Sequence, residues 1–446
     1  MGIGSWADAA LKDYYTEVQD LRTLVGRASP LVDMLSQSSV EGLETGIFFS
    51  LQGGMGIAGD LASAQEVATQ VGNDGAGTAP GAASFDGQWL LPTGQIETSL
   101  RIKYKSLVQG KTNRGAYIRN LVHQTDLHIE YFGERLAQVI LGGGGYRLGL
   151  FDLTTTASGL VTCLDNNGAI QASNIANIYK GMVLVASAND GTSLAHTLLP
   201  SNVAAARGYV LSVDRDAGTF VVSATPSGTA GIPAGWGAQG NDVSLFPVGQ
   251  FKPTLPGSTL STKLLIQSLE DWITPVAATD VFGSVDRSLD SSLSGVRVPT
   301  ALTASKPLEH KLGFGAAYMQ SRYAARKPLT FVLQTEKWFE LVQSLVAQGV
   351  IKDIGSVLET GGRKVQIATV NGMADVLAEP HQSPLFAYGI CPDEISIRHL
   401  DGFPGVANAD GLEMLRQADS NDLEFRLISF AQLIMRQPWS HCRITL

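Results

Sequence analysis

The chain has 446 residues, is 44% hydrophobic and carries a formal net charge of −9. That is apolar material for two or three cores, so more than one domain is expected. An acidic chain with no basic run makes a poor free nucleic-acid binder, since neutralising phosphates needs clustered Lys and Arg, although it could sit near DNA without gripping it, and no apolar run is long enough to span a bilayer.

Met1-Gly2-Ile3-Gly4-Ser5-Trp6 carries no basic region followed by an apolar one. No secretory signal is expected, and the chain is expected to stay in the cytoplasm where it is made. Residues 5–26 read as an amphipathic helix, with Ala7, Leu11, Tyr14, Val18, Leu21 and Val25 on one face and Gly26 as its stop. Two readings stay open: a helix docked on its own domain, or an arm reaching a neighbour.

Gly46–Gln52 is a short strand. Residues 53–88 are rich in Gly, Ala, Asp, Ser and Thr, and hold too few large apolar side chains to fold alone. Gln95–Val108 returns as a strand, with Ile96, Thr98, Leu100, Ile102 and Tyr104 alternating against Glu97, Ser99, Arg101, Lys103 and Lys105. Two strands around a long polar excursion make an extended hairpin, which is unstable alone in water and needs a partner surface.

Ile118, Leu121, Val122, Thr125, Ile129, Phe132, Leu136, Val139 and Ile140 then recur at helical spacing. The pattern starts near Asn113, a good N-cap, and stops at Gly142-Gly143-Gly144-Gly145. Short β runs come next at Val161–Leu164, Gly181–Ala186, Tyr209–Val213, Thr219–Ser223 and Asp242–Phe246. Turn signals separate them at Asn189-Asp190-Gly191 and Asp214–Gly218. Evenly spaced strands of this kind predict a small inserted β domain.

From 255 onward helices and strands mix. Pro307–Arg326 reads as helix and Leu329–Leu333 as a buried strand. Trp338, Leu341, Val342, Leu345 and Val346 line one face of a helix that ends at Gly349. Strands come after it at Lys364–Thr369, Leu385–Ile390 and Ile395–Leu400, then a long one over Asp422–Arg436 and a closing Arg443–Leu446.

Few residues tempt toward chemistry. Gly54-Met55-Gly56-Ile57-Ala58-Gly59 matches G-x-G-x-x-G after a strand, but the second strand with its ribose-binding acid is replaced by Gly72-Asn73-Asp74-Gly75-Ala76-Gly77. The four glycines at 142–145 end a helix instead of starting one, the wrong pole for an anion. His123 and His128 are five apart, a poor match to one helix face, and Asp393-Glu394 reads as a solvated turn. Cys163, Cys391 and Cys442 lack zinc spacing and read as reduced, buried thiols. No catalytic, cofactor-binding or metal-ligating set is predicted.

The order of these parts resembles the major capsid proteins of tailed bacteriophages, which share the Hong Kong 97 fold. Residues 1–42 resemble the N-terminal arm and 43–106 the extended loop. Residues 107–149 resemble the spine helix of the peripheral domain, 150–255 an inserted β domain, and 256–400 the axial domain with its connections. Residues 401–446 resemble closing strands that return to the peripheral domain. Asp271-Trp272-Ile273, Phe282–Ser288 and Gly295-Val296-Arg297 resemble the segment that joins the insertion to the axial domain.

The resemblance implies an α+β Hong Kong 97-type capsid fold and a structural protein, not an enzyme. It implies self-assembly into hexamers and pentamers of an icosahedral head that encloses double-stranded DNA without sequence-specific binding. Scaffolding, portal and decoration or cement proteins would be its partners, with no membrane and no cofactor. It would reside in the virion, assembled in the host bacterial cytoplasm. Trp6, Leu11, Tyr14, Ile47, Phe48, Phe49, Phe85, Trp89, Arg101 and Arg119 are then the candidates for contacts between subunits. No Lys lies between Lys12 and Lys103, so the covalent Lys–Asn sealing of the family's prototype is not expected on this extended loop. The arm helix begins almost at Met1, so scaffolding is expected to be separate or already removed. The insertion is expected to face outward, clear of packed genome. Two alternatives remain: an encapsulin-like shell, which usually lacks such an insertion, and a dinucleotide-binding enzyme using Gly54–Gly59.

Overall fold

A computed structural model describes residues 25, 29–39, 47–50, 88–91, 93–103, 114–142, 148–152, 159–163, 172–187, 198–199, 207–233, 236, 242–247, 266–275, 281–282, 285–287, 291–323, 325, 328–348, 364–400, 403, 405–406, 414–416 and 422–446. Gly54–Gly59, Gly143–Gly145 and residues 5–24 lie outside them.

A six-stranded sheet is organised by the 13-residue strand Leu423–Met435. Alternation along its first half puts Leu423, Phe425, Leu427 and Ser429 on a buried face and Glu424, Arg426, Ile428 and Phe430 on the other. One edge carries Gly94–Ile102, antiparallel, in register from Leu423↔Ile102 to Ala431↔Gly94. The other edge carries Ile395–His399, Gly405–Val406 and Met414–Arg416.

The 28-residue helix Arg114–Leu141 packs against this sheet. Thr125, Ile129, Phe132, Leu136 and Ile140 are buried, following the periodicity in the sequence. Each large apolar side chain contributes roughly 1.5–3 kcal/mol on burial. His128 meets Phe425 edge-on at 6.4 Å, and Phe132 meets Phe403 at 6.4 Å. The side chains of Ile118, Leu121 and Val122 lie outside the described residues.

The N-terminal segment expected as an arm over 1–42 ends inside this domain. Ser29 Oγ caps the short helix Pro30–Met34 by accepting from Val32 N–H, and Ser36–Ser39 adds in parallel to Ile395–His399. Val25, Leu31, Val32 and Leu35 are buried in the same core as the long helix. Val25 and residues 29–39 are therefore docked on their own domain.

Seven strands between Gly149 and Pro247 form one sheet, six of which close on themselves. The order is Asp242–Pro247, Gly149–Asp152, Leu160–Cys163, Thr219–Ser223, Gly208–Asp214 and Val183–Ser187, which pairs back to Asp242–Pro247. The result is a small antiparallel barrel. Val161, Ala186, Val210, Phe220, Val222 and Leu245 belong to its buried set, and Trp236 packs against Gly208 so closely that a Cβ there would sit 2.5 Å from the indole. Arg215 donates to the carbonyls of Ile175 and Ile178 at 3.2 Å and lies over the Tyr179 ring, holding the 3₁₀ turn Ala172–Asn177 to the barrel.

A second six-stranded sheet has the order Val296–Val298, Cys442–Thr445, Phe386–Ile390, Thr330–Leu333, Gly372–Ala378 and Lys364–Thr369. Helices Leu308–Tyr323 and Thr335–Ala347 cover it. Trp338, Leu341, Val342 and Leu345 are buried as expected, and Gln334 caps the second helix at the amides of Glu336 and Lys337. Three features differ from what the sequence predicts. Cys442–Thr445, expected to return to the peripheral domain, pairs instead with Val296–Val298 and Phe386–Ile390 of this sheet. Gly372–Ala378 is a central strand that the sequence reading passes over, its β signal weakened by Gly372 and Asp375; the Asn371-Gly372 turn before it, with Gly372 at φ 110°, is the available hairpin signal. Glu394 also differs, being buried at the end of a 3₁₀ turn, while Asp393 is exposed. Cys391 and Cys442 are buried free thiols, and burial pushes the Cys442 thiol up to about 12.

The connecting segment ties the two sheets together. Ser268 and Asp271 cap the helix Leu269–Trp272 reciprocally. Trp272 Nε1 donates to the Leu433 carbonyl at 3.1 Å, and its ring meets Phe282 edge-on at 4.9 Å. The buried Arg287 donates to the Asp271 carbonyl and lies over Phe282 at 4.5 Å.

Candidate subunit interface

Ile47–Ser50 and Gln88–Leu91 form an antiparallel ladder in register Ile47↔Leu91, Phe48↔Leu90, Phe49↔Trp89 and Ser50↔Gln88. Among the described residues it pairs with no third strand. Leu91 is fully buried, so the base of the ladder is rooted in the core before the chain turns into Gly94–Ile102. Trp6, Leu11, Tyr14 and Phe85 lie outside the described residues. Ile47, Phe48, Phe49 and Trp89 are brought together by the ladder. Arg119 sits on the first third of the long helix, away from it in sequence, and its side chain is not described.

Arg101 lies on the sheet face turned away from the long helix. Its Nε donates to Asp422 at 2.8 Å across an exposed edge. Beside it, Arg426 reaches Glu424 at 3.1 Å and Glu97 at 3.8 Å. The hydrogen bond to Glu424, reinforced by its charge, holds the Arg426 guanidinium above its ordinary value. This face is therefore a ladder of alternating charges whose pairs are already made within the chain. At its far end Phe430 is exposed, opposite Gln95.

The long helix carries an exposed apolar pair, Leu127 at 50% and Tyr131 at 40% exposure, one turn apart. Arg135 lies over the Tyr131 ring at 5.8 Å. Phe430, Leu127 and Tyr131 are not among the contact residues expected from the sequence. Leu127 and Tyr131 fall off the buried stripe, and that mismatch is the signal they carry. Among the described residues no cluster of His, Cys, Asp and Glu could hold a metal, and no helix is long and apolar enough to cross a membrane.

No protein-family model and no curated protein matches the chain. Solved structures do. One is a chain of the cyanophage A-1(L) capsid asymmetric unit, with 10% identity, coverage of 93% of this chain and 92% of that one, and a TM-score of 0.48. A second comes from the satellite phage P4 procapsid that includes the size determination protein, with 10% identity, coverage of 96% and 90%, and a TM-score of 0.38. A third is the virus-like particle from Pyrococcus furiosus, with 8% identity, coverage of 96% and 98%, and a TM-score of 0.34. The first two are phage capsid assemblies.

Proposed function

We propose that the chain is a structural shell subunit, the major capsid protein of a tailed phage with a Hong Kong 97-type fold. The observation that carries this is the ladder Ile47–Ser50 with Gln88–Leu91, which springs from the edge strand of the central sheet and joins no third strand among the described residues. A two-stranded ladder is marginal in water. It becomes favourable when a neighbouring copy covers its apolar side chains, which repays the cost of ordering it.

Repetition of that contact by rotational symmetry generates rings of five and six subunits and, from them, a closed shell. The exposed Leu127, Tyr131 and Phe430 mark further surface for neighbours. The net charge of −9 suits a container whose double-stranded DNA must slide in and out, because a basic inner wall would hold it. Scaffolding, portal and decoration proteins fit the same role as separate partners. The barrel between Gly149 and Pro247 is placed on the outside of the shell, where it would not obstruct the genome. Limited proteolysis of assembled particles tests that placement: cuts within 150–250 are expected, and full protection there while other surface loops are cut would reverse it.

The main test is direct. The chain expressed alone and imaged by negative-stain microscopy should give rings, tubes or shells. A monomer or dimer at all concentrations, with measurable dinucleotide binding, would favour an enzyme using Gly54–Gly59 instead.

A further inference from the structure

The turn Glu379–Ser383 meets three segments that are distant in sequence. Its own backbone is pinned: Glu379 N–H donates to the Leu333 carbonyl at 2.8 Å and Gln382 N–H to the Glu379 carbonyl at 3.2 Å. Gln382 Nε2 donates to the Phe386 carbonyl at 2.8 Å, and Leu385 N–H to Ser383 Oγ at 3.2 Å. The turn is thus part of the second sheet and moves with it.

Two of its side chains reach outward. The fully buried Glu379 accepts from Ser29 Oγ at 2.7 Å and from Leu31 N–H at 3.4 Å, at the start of the helix Pro30–Met34. These two hydrogen bonds fasten the helix start to the turn. Two residues on, His381 Nδ1 lies 2.9 Å from Asn177 Oδ1, at the foot of the barrel. Asn177 Oδ1 can only accept, so the shorter contact assigns the proton to Nδ1. Gln138 Nε2 lies 3.5 Å from that nitrogen and donates to the Tyr179 hydroxyl at 3.2 Å, so the last turn of the long helix closes the same joint.

We infer that the turn Glu379–Ser383 couples the N-terminal segment to the barrel, so that loosening either one loosens the other. The N-terminal helix and the barrel foot both hang from one pinned turn, through side chains two residues apart. A coupling of this kind is reciprocal, because it is a free energy shared between two sites. The inference concerns the single chain and stands or falls independently of what the chain assembles into.

Amide hydrogen exchange on the full-length chain tests it in both directions. The reporters are Asp33 and Leu35 in the N-terminal segment, Gly181 and Met182 at the barrel foot, and Lys311 in the helix Leu308–Tyr323 as the reference, each a backbone donor in a defined hydrogen bond. Ser29→Ala should speed exchange at Gly181 and Met182 at least threefold relative to Lys311. Asn177→Ala should do the same at Asp33 and Leu35. Normalising to Lys311 removes any general loss of stability, and Glu379→Leu, which removes the acceptor at similar size, must raise the ratio at the barrel foot as Ser29→Ala does. Ratios that change only on the substituted side, in either direction, would overturn the coupling.

Discussion

Arg443 and Glu270 form an ion pair at 3.2 Å, both largely buried, with the Arg443 guanidinium stacked 3.8 Å over the Phe386 ring. The pair joins the strand Cys442–Thr445 to the helix Leu269–Trp272, and so joins the second sheet to the segment that Trp272 fastens to Leu433 in the first. Removing one partner leaves a buried charge without its counterion. Glu270→Ala should therefore cost about 3–5 kcal/mol, read as a lower denaturant midpoint. The double replacement Glu270→Leu with Arg443→Met should recover most of that loss. A double variant no better than Glu270→Ala would mean that the pair contributes little and the packing much.

His381 predicts how stability depends on pH. Burial pushes its pKa from 6.5 down to about 4. Between those values the unfolded chain binds a proton that the folded chain refuses, so stability rises with pH across that window. It is fully present above 6.5 and is lost as pH falls toward 4. The loss amounts to roughly 3 kcal/mol for this group. Burial lowers the His128 pKa in the same direction. Urea midpoints measured between pH 7 and 4 should fall for the native chain, and His381→Gln should show a shallower fall. Parallel curves for the two proteins would contradict the assignment.

Local order is legible in the sequence where the pattern is local. Thr219–Ser223 and Lys364–Thr369 follow from alternation, and the helix Arg114–Leu141 from its apolar stripe. Closure of the barrel is not, because the pairing of Asp242–Pro247 with Val183–Ser187 joins segments that no turn connects. The parallel contact of Ser36–Ser39 with Ile395–His399 spans almost the whole chain, and nothing in either segment names the other. The ladder at Ile47–Ser50 is legible as a strand needing a partner, since its residues are apolar and the glycine-rich segment after them is not. The exposed faces that would receive such a partner are not legible, because exposure is a property of the packed chain. Glu379 and His381 are invisible for a related reason: their partners Ser29 and Asn177 lie 350 and 204 residues away.

Gly159 makes the barrel sensitive to a single methyl group. It sits at φ +64°, and a Cβ there would lie 2.3 Å from Gly231 N and 2.6 Å from the Val222 carbonyl oxygen. Those backbone atoms already bond one another at 2.9 Å, beside the register shift between Val221 and Val222, so they have nowhere to move. Gly159→Ala should destabilise the barrel by about 2 kcal/mol or more from the left-handed backbone and the clash together. Exchange at Val222 and Gly231 should accelerate, while Trp338 on the helix Thr335–Ala347 keeps its protection. Unchanged exchange at Val222 would show that the strand absorbs the methyl group.

On the proposed function, the ladder residues should separate folding from assembly. Among the described residues the strand Ile47–Ser50 pairs with Gln88–Leu91 and with no other strand. If the ladder serves contacts between subunits, as proposed, Phe48→Asp or Trp89→Asp should leave the monomer within about 1 kcal/mol of the parent, the range of a surface substitution. In a shell the same substitution would place a charge in a surface meant to be dry, at a cost of several kcal/mol for each subunit contact. Sedimentation velocity should show the loss of large particles, and circular dichroism an unchanged melting curve. A melting curve that drops sharply while particles persist would reverse the assignment, making the ladder a structural element of the monomer and leaving Leu127, Tyr131 and Phe430 as the surface through which subunits meet.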